Sequence, residues 1–83
     1  MLPGITDLYS VASTLKARFE AQPPDDARLL AGVRDLVLQM RLVMRLGREE
    51  NAFLVAAENR LDEARADLAM TLLTEVLAKR ISR

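Results

Sequence analysis

The chain has 83 residues, with twelve basic side chains balanced by twelve acidic ones, no cysteine and no histidine. These absences exclude disulfides, thiolate or imidazole ligands for zinc or haem, and any Cys or His nucleophile or base. The zero net charge argues against a polyanion binder held by bulk charge and leaves only local patches to consider.

Half of the composition is apolar (51%) but only 4% is aromatic, so Leu, Ala, Val and Met must build the core, and these residues favour helix on helix. The fold class expected is all-α, a single domain over 1–83. Ordering each residue costs about 1.5 kcal/mol, and a core of this size leaves only about 3–5 kcal/mol of net stability when no staple is present. Self-association or a folded partner is the common remedy, so a homo-oligomer or a helical protein partner is anticipated.

Pro3 and Gly4 break the lead-in, and Thr6 reads as an N-cap with Asp7 favourably placed at the positive end of a helix. Ile5, Leu8, Ala12, Leu15 and Phe19 recur every three or four residues, which predicts a short amphipathic helix over 6–21. Tyr9 lies beside this line and reads as an edge residue with a wet hydroxyl. Gln22, Pro23 and Pro24 end the helix, since proline lacks the N–H and forces its predecessor out of helical geometry.

Asp25 and Asp26 open a second helix, predicted over 26–46. Leu29, Leu30, Val33, Leu36, Val37, Met40, Val43 and Met44 share one broad face at about 100° per residue. Leu38, Leu42 and Leu46 follow one another at four-residue steps on the opposite side, where a monomer's surface helix would carry polar groups. Gly32 costs about 1 kcal/mol relative to Ala and reads equally as the mark of a close helix crossing or as a simply tolerated glycine. Arg34, Arg41, Arg45 and Arg48 flank the main apolar face as a charged stripe, and like charges at i and i+4 call for acidic groups opposite them.

Gly47 admits two readings. It ends the helix and turns the chain into an αα-hairpin, with Asn51 capping a third helix, or one long coiled-coil helix runs through it. The hairpin is favoured, because short bundles are commoner than helices of more than about 50 residues, and it brings Glu49 and Glu50 near Arg45 and carries Glu58, Asp62 and Glu63 toward Arg34 and Arg41. The third helix is predicted over 51–81, giving a bundle of about three helices. Its C-terminal half is too apolar for one contact: Ala66, Met70, Leu73, Leu77 and Ile81 form a line beside Leu68, Leu72 and Val76. Met70, Leu73 and Leu77 are therefore read, with Leu38, Leu42 and Leu46, as partner-binding positions. Lys79, Arg80 and Arg83 read as a solvated helix end.

Motifs that carry chemistry are sparse. Neither a GxGxxG nor a GxxxxGK[ST] run occurs. Glu58 with Asp62 and Glu63 with Asp67 are carboxylate pairs at helical spacing, but a di-iron bundle takes a His three residues after a Glu. No metal, cofactor or enzymatic activity is expected. The longest clean apolar run, Ala52 to Ala57, is far short of the roughly 20 residues of a membrane span, and nothing resembles a secretory signal, so the expected setting is soluble and cytoplasmic. The function anticipated is a small interaction module, such as an adaptor, chaperone-like subunit, inhibitor or assembly factor, acting through apolar helix faces. The alternative is nucleic-acid binding through the Arg stripe, which the missing net charge and the few lysines weigh against. A membrane-surface helix lacks its Lys-rich polar side and its aromatic anchors.

Overall fold

A computed structural model describes residues 4–82, and among them every regular element is a helix. Pro3, expected as a breaker, and Arg83, expected at the last helix end, lie outside the described residues. Four helices follow in order: α1 (Ile5–Arg18), α2 (Ala27–Val43), α3 (Arg48–Asp62) and α4 (Ala66–Ser82).

The start of α1 differs from the expectation by two residues. Gly4 is the N-cap and Thr6 lies inside the first turn, because the Asp7 carboxylate reaches back to accept the Gly4 N–H at 2.9 Å. At the other end, Phe19, Glu20 and Ala21 donate to the carbonyls of Lys16, Ala17 and Arg18, three residues back. The helix tightens into turns there and stops short of Ala21, before the two prolines. Asp26 caps α2 as expected, its Oδ1 accepting the Leu29 N–H at 3.0 Å.

The chain does break near Gly47, but earlier and differently from a glycine-terminated helix. α2 ends at Val43, Met44 is already extended (φ −104°, ψ 137°), and Gly47 (φ −75°, ψ 176°) is the N-cap of α3 rather than the terminator of α2. Glu50 closes the cap by accepting the Gly47 N–H at 3.0 Å. Asn51 therefore sits one turn inside α3 and caps nothing. The extended segment alternates its side chains, with Met44 buried, Arg45 exposed and Leu46 partly buried against the core.

The predicted third helix, 51–81, is two helices, and the count of about three becomes four. Ala64 adopts φ 59°, the left-handed region. The Arg65 N–H donates to the Arg60 carbonyl at 2.8 Å and the Ala64 N–H to the Leu61 carbonyl at 3.0 Å, the paired bonds of a Schellman ending with alanine where glycine is usual. The Ala66 N–H, at the start of α4, donates to the Pro24 carbonyl in the α1–α2 linker at 3.2 Å. A straight helix over 51–81 would be about 46 Å long at 1.5 Å per residue, whereas the longest extent of the molecule is 32 Å. Folding back at Ala64 lays α4 over the apolar faces that α1 and α2 would otherwise expose.

α4 packs against all three other helices, α2 does the same, and α1 and α3 stand apart on opposite sides of that pair. The core draws Leu8, Ala12 and Leu15 from α1, Leu29, Val33, Leu36, Val37 and Met40 from α2, and Leu54, Ala57 and Leu61 from α3. α4 adds Ala66, Ala69, Met70, Leu73, Val76 and Leu77. A helix with three neighbours needs more than one apolar line, which explains the C-terminal half without a partner. Met70, Leu73 and Leu77, expected on a binding surface, are 1%, 0% and 0% exposed and belong to the core. Of the two readings of Gly32, the structure has the close crossing: a Cβ there would lie 2.9 Å from Leu15 Cδ2.

Candidate functional site

With α4 turned inward, the two most exposed of the large apolar side chains left outside, among the described residues, lie on α2. Leu38 and Leu42 are 54% and 61% exposed, one helical turn apart on the face of α2 opposite its core residues. Leu46, the third member of that expected line, does not continue it. The helix ends at Val43, so the four-residue repeat loses its meaning beyond that point and the extended chain turns Leu46 toward the core.

The Arg stripe divides. Arg34 Nη2 donates to Asp62 at 2.9 Å, and Arg41 pairs with Glu58 while donating to Asn51 Oδ1 at 2.8 Å. Because α2 and α3 run antiparallel, residues ascending in number on α2 meet residues descending on α3, and the acids lie where a hairpin would carry them. Arg45 and Arg48 have no ion-pair partner among the described residues. Glu50 does not answer Arg45. It takes a two-bond fork from Arg80, with Nε to Oε2 at 3.0 Å and Nη2 to Oε1 at 2.6 Å, and Arg80 Nη2 also donates to the Arg45 carbonyl at 2.9 Å. This clamp ties the C-terminal turn of α4 to the α2–α3 connection. Arg80, expected at a solvated helix end, is instead held in this clamp, and its thirty residues of separation from Glu50 leave no local signal of the pairing.

Between the ion pairs, α2 and α3 frame a shallow groove lined by Arg34, Val37, Leu38, Arg41, Glu58 and Leu61. On α3 the line Asn51, Val55, Glu58, Asp62 follows helical spacing along this groove, and its one apolar member, Val55, is 45% exposed. Leu38 borders this groove from α2, one turn before Leu42, and the Arg34–Asp62 and Arg41–Glu58 pairs span it to the α3 line that carries Val55. Elsewhere the exposed large apolar residues, Tyr9 and Val11 on α1 and Leu68 and Ile81 on α4, belong to other helices.

The ionisable groups supply no obvious chemistry. Among the described residues no polar or charged side chain is buried, and no cluster of three acids stands ready for a metal ion. Asp67 has its carboxyl held below the usual range, first by the hydrogen bond from Arg65, with burial opposing the shift. Arg65 is raised correspondingly, again first through Asp67. Arg65 precedes α4 and Asp67 lies in its first turn, so this is an ion pair at a helix start. The expected carboxylate pairs separate: Asp62 and Glu58 each go to an arginine of α2, and Glu63 pairs with Arg60.

No described helix is long and apolar enough to cross a membrane. Against protein-family models, curated proteins and solved structures alike, the chain finds no match.

Proposed function

We propose that this chain is a non-enzymatic protein–protein interaction module whose contact surface is the outward face of α2, extended by Val55 of α3. The observation that carries the reading is Leu38 and Leu42, two adjacent leucines more than half exposed on a helix whose other face already fills the core. Four packed helices bury the apolar line of α4 that the sequence left over, and Leu38 and Leu42 are the two most exposed of the large apolar side chains that stay outside among the described residues. Burying a leucine that is left in water is worth about 1.5–3 kcal/mol, enough for a pair to anchor a helical partner in the way amphipathic helices dock by side chains one turn apart. The arginine–carboxylate pairs that bridge α2 to α3 lie beside Leu38 and Leu42 on the α3 side and supply a polar border of the kind usual at such a contact.

The nucleic-acid reading has less to work with. Arg34 and Arg41 each face a carboxylate of α3, which leaves Arg45 and Arg48 as the open members of the stripe, and two arginines release few counterions on a polyanion.

The test is the double substitution L38E/L42E, compared with wild type by light scattering for self-association and by co-purification from the native source for association with other proteins. Circular dichroism monitors helix content in both chains. The module reading expects association to disappear while helicity persists. Association that is unchanged in L38E/L42E refutes it.

A further inference from the structure

We propose that the partner on this face is a second copy of the chain, docked so that the two α2 helices run antiparallel about a twofold axis between Leu38 and Leu42. The inference rests on the contact-surface reading above and adds the identity and register of the occupant. Its basis is the charge pattern along one line of α2 and the residue just beyond it. Ala31, Asp35, Leu38 and Leu42 follow one another at steps of four, three and four within α2, the seam spacing of paired helices, and these four and Arg45, in the extended segment past the helix end, are all exposed. Arg45 lies two residues past the end of α2, and the alternation that buries Met44 turns Arg45 outward at the same end as Leu42.

Two leucines are therefore bracketed by an acid on one side and a base on the other. Neither Asp35 nor Arg45 has an ion-pair partner among the described residues, whereas Arg34 and Arg41 beside them do. An antiparallel copy centred between Leu38 and Leu42 sets Leu38 against the other copy's Leu42 and Asp35 against its Arg45, and the twofold makes each contact occur twice. A parallel copy sets Asp35 on Asp35 and Arg45 on Arg45, which repel. The single exposed seam thus complements itself in one direction only. Its small exposed Ala31 leaves room at the end where the other copy's α2–α3 connection would arrive. One 17-residue helix face, about 25 Å long, sits at the small end of specific interfaces, so a reversible dimer of micromolar or weaker affinity is the expected strength.

The experiment is sedimentation of the full chain from about 10 μM to about 1 mM, as wild type, Asp35→Arg, Arg45→Asp, and an equimolar mixture of these two variants, with helix content checked by circular dichroism. Wild type is expected to dimerise. Each variant alone should lose about tenfold or more in affinity, equivalent to about 1.4 kcal/mol, because both symmetric contacts become repulsive. The mixture should recover wild-type association, since every contact across the twofold again joins opposite charges. A wild-type monomer throughout this range overturns the proposal, as do single variants that dimerise like wild type. A mixture binding much more tightly than wild type also overturns it, because a parallel pair behaves that way. Association abolished by L38E/L42E but indifferent to the charge variants would remove the antiparallel dimer and leave the contact surface standing.

Discussion

Ala64 provides the sharpest test of the fold, because it is the residue at which α3 stops and α4 begins. Its φ of 59° brings an L side chain's Cβ against the following carbonyl, a strain of roughly 1–2 kcal/mol that glycine does not feel. Ala64→Gly removes that strain, and against this stands the greater freedom of glycine in the unfolded chain, about 0.4–1 kcal/mol. Part of a half-buried methyl group is also lost. The net expectation is a gain of about 0.5–1 kcal/mol, or a rise in Tm of about 2–8 °C for a domain of this size. Urea denaturation followed by circular dichroism at 222 nm reads it directly. Ala57→Gly is the natural comparison: Ala57 is fully buried within α3, and glycine there should cost about 1 kcal/mol in helix propensity plus the lost packing of its methyl group. The two substitutions must therefore move stability in opposite directions. If Ala64→Gly destabilises by the same amount as a mid-helix glycine, the chain runs helically through 64, and the packing of α4 described above is wrong.

Gly32→Ala exchanges about 1 kcal/mol of helix propensity against a contact of 2.9 Å with Leu15 Cδ2. Little net change is expected in the wild-type background, and a stabilisation of about 1 kcal/mol in a Leu15→Ala background, where the opposing methyl is gone. Equal effects in both backgrounds, measured by a denaturation cycle, would deny the close crossing of α1 and α2. The Arg80–Glu50 fork, with side chains 20% and 19% exposed, should outweigh the Arg34–Asp62 pair at 52% and 69%. Arg80→Ala is expected to cost about 1–2 kcal/mol and Arg34→Ala less than about 0.5 kcal/mol. The reverse order in chemical denaturation would mean that the clamp at the α2–α3 connection contributes nothing particular.

Much of the architecture is readable from local patterns. The 3.6-residue recurrence of Leu8, Ala12 and Leu15, and of Leu29, Val33, Leu36 and Met40, specifies helices with buried faces. Proline at 23 and 24 with Asp26 beyond them specifies the break and the new start. The outward Leu38 and Leu42, and the pairing of Arg34 and Arg41 with acids of α3, also follow from spacing once the chain turns back near Gly47. These features depend on neighbours within a turn or two, where residue type and geometry are tightly coupled.

What tertiary structure alone decided is the fate of the C-terminal half. Glu63, Ala64 and Arg65 are all compatible with a continuing helix, and Ala64 is the strongest helix former known. The chain nevertheless turns there, because α4 covers the faces of α1 and α2 and that burial exceeds the strain of one left-handed alanine. That turn takes Met70, Leu73 and Leu77 from an apparent binding surface into the core, and the earlier end of α2 turns Leu46 to pack partly buried against it. It also brings Arg80 onto Glu50 across thirty residues. The amphipathic pattern of a helix records how much surface it must bury. Whether its own chain or another molecule covers that surface depends on how the helices are arranged in space, and here only Leu38 and Leu42 of the six apolar candidates remain for another molecule.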